Sequence, residues 1–430
     1  MWWHLPQKEN MKKIGVALLG LGVVGGGTYE ILTTKRDYIL KNEGIDIEVK
    51  AVLERNMDRV KELGIDESIV ATSIDEIVAN PEIQVVAEFF GGVEPAKSFL
   101  IKALESGKSI VTANKEMFSK SWVELERAGK KGGAGLYFEA SCVGGVPIIR
   151  TLTDAMQGNK MTSLKGIVNG TTNYILSRMS DEGVDYNTCL KTAQELGYAE
   201  ANPTADVDGF DSMYKNSILS SLAYKKRVPI DKIYREGISK VDVKDLEIGK
   251  ELGYTMKLLA ISKDDGKMTE ARVHPAFLPT EHPLSGVKGS FNAVFIHGDN
   301  VDDVMLYGRG AGSLPTGSAI VSDIVFAGKN TDHRRFYFEE NEDVGGDTFA
   351  TDFSTEYYLR FVADEKGEGL NKISAMLLDN GIEVVKALTK GKDVIIITSK
   401  AKESVMQDLV SRIVKLAQVD CLGALIRIEK

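Results

Sequence analysis

Asp211 and Lys215 stand four residues apart in Gly209-Phe210-Asp211-Ser212-Met213-Tyr214-Lys215-Asn216. On a helix, that spacing puts a carboxylate and an ammonium on one face. The bland explanation is an ordinary surface ion pair. Three features favour chemistry instead. Glu200, Asp206 and Asp208 crowd just upstream of Asp211. The segment lies between loops rich in Gly and Pro, where sites concentrate. An ammonium among carboxylates can also grip a zwitterionic substrate and pass a proton to a carbonyl oxygen.

Lys115 is a second cation of interest. Val111-Thr112-Ala113-Asn114-Lys115 ends an apolar strand, and ligands of parallel sheets bind beyond the carboxyl ends of the strands. The alternative is a surface lysine at a helix start. Glu139-Ala140-Ser141-Cys142-Val143-Gly144-Gly145-Val146-Pro147 mixes a carboxylate, a thiol and close glycines. A Cys142 thiolate would imply an aldehyde dehydrogenase working through a thioester. That chemistry needs a base, usually His. His4, His274, His282, His297 and His333 sit in no clearly catalytic context. A small buried residue is the simpler reading of Cys142.

Gly20-Leu21-Gly22-Val23-Val24-Gly25 follows the apolar run from Ile14 to Leu19 and precedes a helical stretch from Thr28 to Leu40. A glycine pattern alone is weak, but strand, glycines and helix in that order form a dinucleotide fingerprint. Gly20 permits the tight turn, Gly22 the approach of a pyrophosphate and Gly25 the close helix–strand packing. The helix N-terminus then presents N–H groups to the phosphates. Glu54 and Arg55 follow the second strand, Ile45 to Leu53. An acidic residue there holds the ribose 2′-hydroxyl of NAD, and an Arg accommodates the 2′-phosphate of NADP. Both are present; the reading leans to NADP through Arg55, with NAD and a solvated charge pair as the alternatives.

These residues need elements to position them. A strand at Val85 to Phe90, a helix at Ala96 to Ser106 and a strand at Ser109 to Thr112 continue a strand–helix alternation that predicts a doubly wound parallel sheet. From about residue 150 the pattern becomes mixed α+β. Leu164 to Val168 and Ala271 to Phe277 read as strands, and Thr188 to Leu196 and Asp211 to Tyr224 as helices. Gly308 to Gly312 open a further apolar helix, Ala319 to Ala327, that folds back onto the first domain. A polar linker follows. Tyr357 to Ala363, Leu370 to Leu378, Glu383 to Ala387, Asp393 to Thr398, Glu403 to Leu416 and Cys421 to Glu429 then spell βαββαβ, a ferredoxin-like module. The expected division is 1–10 extension, 11–149 Rossmann domain, 150–307 substrate-binding and dimerisation domain, 308–330 returning helix, 331–354 linker and 355–430 regulatory domain.

Bulk composition bounds the remaining options. The 430 residues exceed one core. With a net charge of −9 and no polybasic run, nucleic acid is not an expected partner. No apolar run approaches the roughly 20 residues of a membrane span. Cys142, Cys189 and Cys421 are odd in number and widely spaced, which speaks against a disulfide framework and for the reducing cytoplasm.

Together the motifs resemble homoserine dehydrogenase. The resemblance rests on the glycine loop, Val111 to Lys115, Glu139 to Pro147, Gly166-Ile167-Val168-Asn169-Gly170-Thr171-Thr172-Asn173-Tyr174, Glu195 to Glu200, Gly209 to Lys215 and Gly308 to Gly312. It covers about residues 12–327. It implies reversible NAD(P)H-dependent reduction of aspartate β-semialdehyde to homoserine. Lys215 would be the general acid and base, Asp211 would bind substrate and orient Lys215, and Lys115 would stabilise the developing oxyanion. Glu200 would hold the substrate ammonium, and Asp206, Gly170 and Thr171 would complete the substrate site. Gly20, Gly22, Val23, Val24, Gly25, Arg55, Gly91, Lys115 and Gly312 would contact the cofactor. The loop of Glu139, Cys142, Gly144 and Val146 looks like a monovalent-cation site, most naturally for Na+, built largely from carbonyls. Cys142 stands where Val is expected and Asn202 where Asp is usual. Residues 355–430 look like an ACT domain, which implies an amino-acid effector such as threonine. Its ligand loop, Asp364 to Leu370, is irregular and leaves oligomerisation as an alternative use. A homodimer or homotetramer is expected. Two rivals remain: another amino-acid or amino-alcohol oxidoreductase, and a non-catalytic Rossmann–ACT sensor.

Overall fold

The computed structural model describes residues 12–329, 348–363 and 368–430. The extension 1–10, most of the linker (331–347) and the first part of the irregular ligand loop (364–367) lie outside the described residues.

Five parallel strands form the first sheet: β1 (Lys12–Leu19), β2 (Ile45–Leu53), β3 (Val85–Glu88), β4 (Ser109–Thr112) and β5 (Leu136–Tyr137), in the order β2-β1-β3-β4-β5. β1 is buried from Ile14 onward, which explains its unbroken apolar run, since helices cover both faces of such sheets. The order reverses between β1 and β3, and that switch point opens a crevice at the carboxyl ends of the strands. The covering helices are α1 (Val23–Thr34), α2 (Arg36–Glu43), α3 (Met57–Glu62), α4 (Ile74–Ala79), α5 (Ala96–Glu105) and α6 (Lys115–Gly132).

The single helix expected at Thr28 to Leu40 is two helices. It starts five residues earlier and breaks at Lys35 (φ −110°, ψ 10°). The hydroxyls of Thr33 and Thr34 donate to the carbonyls of Tyr29 and Glu30, a local bond that bends helices.

The middle of the chain runs α7 (Ile148–Arg150), β6 (Met161–Ile167), α8 (Gly170–Glu182), α9 (Tyr186–Glu195), α10 (Thr204–Val207), α11 (Phe210–Tyr224), β7 (Tyr234–Arg235) and α12 (Val243–Glu251), then β8 (Tyr254–Asp264), β9 (Thr269–Pro279), β10 (Phe291–Gly298) and β11 (Asp302–Arg309). The order β11-β10-β6-β8-β9 is antiparallel throughout. Almost every residue of α11 is buried, because it lies between α6 and the face of β8 and β9.

α13 (Ser313–Lys329) returns to the first sheet and packs on α1. Ile320 and Ile324 enter the core beside Ile14, Val16 and Val85. Two glycines allow the approach: a Cβ on Gly27 would lie 2.6 Å from the Ser313 carbonyl oxygen, and one on Gly317 3.0 Å from the Gly27 backbone.

The last unit comprises β12 (Phe349–Ala350), β13 (Ser354–Ala363), α14 (Glu368–Asp379), β14 (Val384–Lys390), β15 (Asp393–Thr398), β16 (Ala401–Lys402), α15 (Glu403–Ile413) and β17 (Val419–Ile428). Its main strands run antiparallel in the order β17-β13-β15-β14. Within the stretch read as a linker to residue 354, Phe349–Ala350 pair with β9. β17 also joins β9, in parallel, through Arg427 with Ala276 and Ile428 with Phe277. The two antiparallel sheets are therefore one continuous surface.

Candidate active site

The glycine loop takes the form its spacing predicts. Gly20 has φ +95°. A Cβ on Gly25 would fall 2.2 Å from the Gly20 carbonyl oxygen, whereas Gly22 faces open space. α1 begins at once, with no side chain capping it, so its free N–H groups and positive end face the crevice. Val23 is 69% exposed there. These features fit a dinucleotide pyrophosphate.

Glu54 is bonded to the backbone around the glycine loop. Its Oε2 accepts the N–H of Leu21 at 2.7 Å, and its Oε1 accepts the N–H groups of Arg55 and Asn56 at 2.8 and 2.9 Å. The neighbouring Arg55 is exposed. Gly91 is exposed beyond β3.

Opposite the loop lies a cleft of about 590 Å³. Lys115, Asp211, Lys215, Asp206, Glu200, Gly170 and Thr171 all line it, together with Val24, Gly144 and Gly312. Asp208 is not in that lining; its carbonyl accepts from Arg235. Of the glycine loop only Val24 lines the cleft; Gly20, Gly22, Val23 and Gly25 lie outside the lining, as do Arg55, Gly91, Glu139, Cys142 and Val146.

α11 brings Asp211 and Lys215 together. Lys215 Nζ donates to Asp211 Oδ2 and to the Val168 carbonyl, each at 2.7 Å. Lys115 Nζ, from the first turn of α6, stands 3.2 Å from Asp211 Oδ1. Burial alone would raise the Asp211 pKa, but Lys215 and Lys115 outweigh it and hold the carboxyl far below the usual range. The same pairing raises Lys115 against its own desolvation. Asp206 moves the other way, raised first by burial and then by the nearby charge of Asp211.

Asn169 joins the two aspartates. Its Nδ2 donates to Asp206 at 2.7 Å and to Asp211 at 2.9 Å, and its Oδ1 caps α8 through the Thr172 N–H. Sequence reasoning did not assign it a role. An Asn just before Gly170-Thr171-Thr172 is an N-cap signal that marks the start of α8. Thr171 donates to the Tyr198 carbonyl at 2.6 Å. Asn202 is exposed, accepts from Thr204 N–H and is not among the residues that line the cleft.

The 139–147 loop is built differently from a carboxylate metal site. Glu139 is buried, and its two oxygens accept the N–H groups of Ile149 and Arg150 at 2.8 and 2.9 Å. Its carboxylate therefore frames the loop. No group of three or more His, Cys, Asp or Glu suited to a metal occurs among the described residues. Val143 (φ 56°) and Gly144 (φ 51°) are successive left-handed residues, a turn that redirects successive backbone carbonyls. Cys142 is fully buried and its thiol is pushed up to about 12, mainly by burial. That removes the thiolate on which a thioester mechanism depends.

A glycine-loop parallel sheet facing a lysine–aspartate pair defines a nicotinamide-dependent oxidoreductase. Residues 147–325 match the family described as homoserine dehydrogenase, and residues 20–139 match the homoserine dehydrogenase NAD binding domain. The chain is 38% identical to a homoserine dehydrogenase of Bacillus subtilis over 97% of its length and 99% of the relative's. A crystal structure of a homoserine dehydrogenase from Thiobacillus denitrificans superposes with a TM-score of 0.92 at 36% identity, covering 98% of this chain and 99% of that one. A hyperthermophilic archaeal homoserine dehydrogenase in complex with NADPH superposes with a TM-score of 0.63 at 27% identity, over 73% of this chain and 97% of that one. The chain belongs to the homoserine dehydrogenase family. Among the described residues no helix is long and apolar enough to cross a membrane.

Proposed function

We propose that the cleft binds L-aspartate 4-semialdehyde and NADPH and that its residues run the reversible reduction to L-homoserine. The observation that carries the site reading is the buried Asp211–Lys215 pair, opposite the glycine loop in one cleft. A bound nicotinamide supplies the hydride in one direction and accepts it in the other. Lys215 gives its proton to the oxygen that becomes the homoserine hydroxyl, and its free amine takes that proton back in oxidation. Lys115 stabilises the negative charge developing on that oxygen. Asp211 orients both ammonium groups and helps to bind the substrate. Glu200 and Asp206 receive the substrate ammonium. The N–H groups of Gly170 and Thr171, at the positive end of α8, receive its carboxylate.

Gly20, Gly22, Val23, Val24 and Gly25 hold the pyrophosphate, with Gly91 and Gly312 on the edges of the cofactor cleft. NADP is the preferred form, because Glu54 is committed to backbone N–H groups while Arg55 stands free for a 2′-phosphate. The carbonyls of Cys142, Gly144 and Val146 are hard, neutral donors suited to a monovalent cation such as Na+. Glu139 supports that loop rather than supplying its carboxylate.

The βαββαβ order and β17-β13-β15-β14 sheet of residues 355–430 support a ferredoxin-like, ACT-type regulatory unit. Its effector would be an amino acid such as threonine, and the assembly a homodimer or homotetramer. The domain division proposed is 11–149, 150–307, the returning helix 308–330 and 355–430. The test is homoserine oxidation at alkaline pH, with NADP and NAD assayed separately. Turnover favouring NADP is expected. Silence with both, on protein that binds cofactor, would overturn the reading; a preference for NAD would reassign the ribose pocket. Repeating the assay with threonine, and with Na+ replaced by a bulky organic cation, tests the effector and the cation loop.

A further inference from the structure

A buried carboxyl that the proposed chemistry does not use sits at the carboxyl ends of β3 and β4. Glu88 is fully buried. Its Oε2 accepts the Thr112 hydroxyl at 2.6 Å, and its Oε1 accepts the Phe90 N–H at 2.5 Å. A hydroxyl has one proton and two lone pairs. With its proton on Glu88, Thr112 Oγ1 is left to accept, and it takes the Asn114 N–H at 3.0 Å.

Asn114 caps α6 by accepting the Met117 N–H at 3.0 Å. Its Nδ2 donates to the carbonyls of Phe90 and Gly92 at 3.2 and 2.7 Å. Lys115 is the next residue, and its Nζ lies 3.2 Å from Asp211. One chain of bonds therefore runs from Glu88 through Thr112 and Asn114 to the backbone that carries Lys115. It also ties down the turn that follows β3. Burial raises the Glu88 carboxyl, and although the bonds from Thr112, Phe90 and Asn114 oppose it, the carboxyl stands at about 7.

We propose that Glu88 and Thr112 are positioning residues. They fix the point at which the chain leaves β4, and so the place from which Lys115 reaches Asp211 and the substrate oxygen. The physical reason is geometric. A lysine on four methylenes is placed only as well as its Cα, and a displacement of about 1 Å at a reacting group costs up to roughly 10²-fold in rate. The inference rests on the role given to Lys115 above, and the experiment separates the two.

The experiment compares Thr112→Val, Thr112→Ser, Lys115→Ala and the Thr112→Val/Lys115→Ala double variant in the full chain, with kcat and KM at saturating NADP. Thr112→Val keeps the volume and removes the hydroxyl. It should lower kcat roughly tenfold with little change in the homoserine KM, and Thr112→Ser should restore kcat. In the Lys115→Ala background the same Val substitution should change kcat no further, because both act through one group. Losses that multiply in the double variant would overturn the proposal and leave Lys115's role intact. Normal turnover by Lys115→Ala alone would overturn that role. If Thr112→Val does not fold, Glu88→Gln replaces it in the same cycle, since its amide sets a donor against a donor, and the same two outcomes decide.

Discussion

Two ion clusters in this molecule set carboxylates against cations to opposite ends. The cluster on α11 sets one carboxylate, Asp211, against two ammonium groups and opens onto a cleft. The other joins the C-terminal unit to β9 and is closed. There Arg427, 1% exposed, is held by Glu403, Glu236 and the Tyr234 hydroxyl. Arg272, fully buried, is held by Glu270 and Glu429 and lies against the Phe353 ring. Beside them His274 is pushed down to about 3 by burial and by the two arginines, and so stays neutral. The closed cluster pairs planar guanidinium groups with several carboxylates, which suits permanent burial. The open one uses lysines, whose ammonium can give up a proton. Charge alone therefore does not mark a site; an ammonium that faces space does.

The largest expected effect sharpens the open side of this contrast. Lys215→Ala should lower kcat by roughly 10²–10⁴-fold, the range for a lost general acid or base, while the fold and NADP binding persist. Steady-state kinetics beside a cofactor titration checks it, and near-normal turnover would break the assignment. The closed side is probed by Arg427→Met, which leaves Glu403 buried and unpaired. It should cost about 3–5 kcal/mol of stability, read from denaturant unfolding, with kcat per folded molecule close to that of the parent. A loss of kcat without a loss of stability would make the junction part of the site.

A smaller, pH-dependent effect follows from Glu429. Burial raises its pKa, but Arg272 and Lys263 outweigh that and hold it at about 2, below its ordinary value of 4.5. A depressed carboxyl stabilises the fold fully above its unfolded pKa and loses that contribution as pH falls through the folded one. Stability should therefore fall between about pH 4.5 and 2, and Glu429→Gln should flatten that part of the curve. Parallel curves for parent and variant would refute the pairing. The smallest effect is a null one. Cys142, with its thiol at about 12, should resist iodoacetamide at neutral pH while the exposed Cys421 reacts, as peptide mass mapping will show. Alkylation of Cys142 with loss of activity would revive a thiolate mechanism.

Local signals and distant contacts divided the work unevenly. Asp211 and Lys215 were legible because four residues make one helical turn, and β1 because a strand buried on both faces is apolar throughout. Lys115 was legible as a residue just past a strand, yet its place in the first turn of α6 rests on the Asn114 cap. β8, β10 and β11 were not read from the sequence: β11 is an edge strand with no buried residue and so a weak apolar signal, while β8 and β10 are completed by β6, which lies about a hundred or more residues away in the chain. Glu54 and Arg55 stood side by side as alternative ribose contacts, and only the folded loop shows the Leu21 N–H bonded to the Glu54 carboxylate.

By itself the sequence determined what is local. The glycine turn, the helix face carrying Asp211 and Lys215, and the βαββαβ order all follow from backbone periodicity and from what small or branched side chains permit. Tertiary structure alone decided what is relational. Asn169 came to bridge two aspartates 37 and 42 residues away, the Glu139 carboxylate to accept the N–H groups of Ile149 and Arg150, and Arg427 to anchor β17 beside β9. Such roles depend on which partner desolvates and bonds each group, and the chain acquires those partners only when it closes on itself.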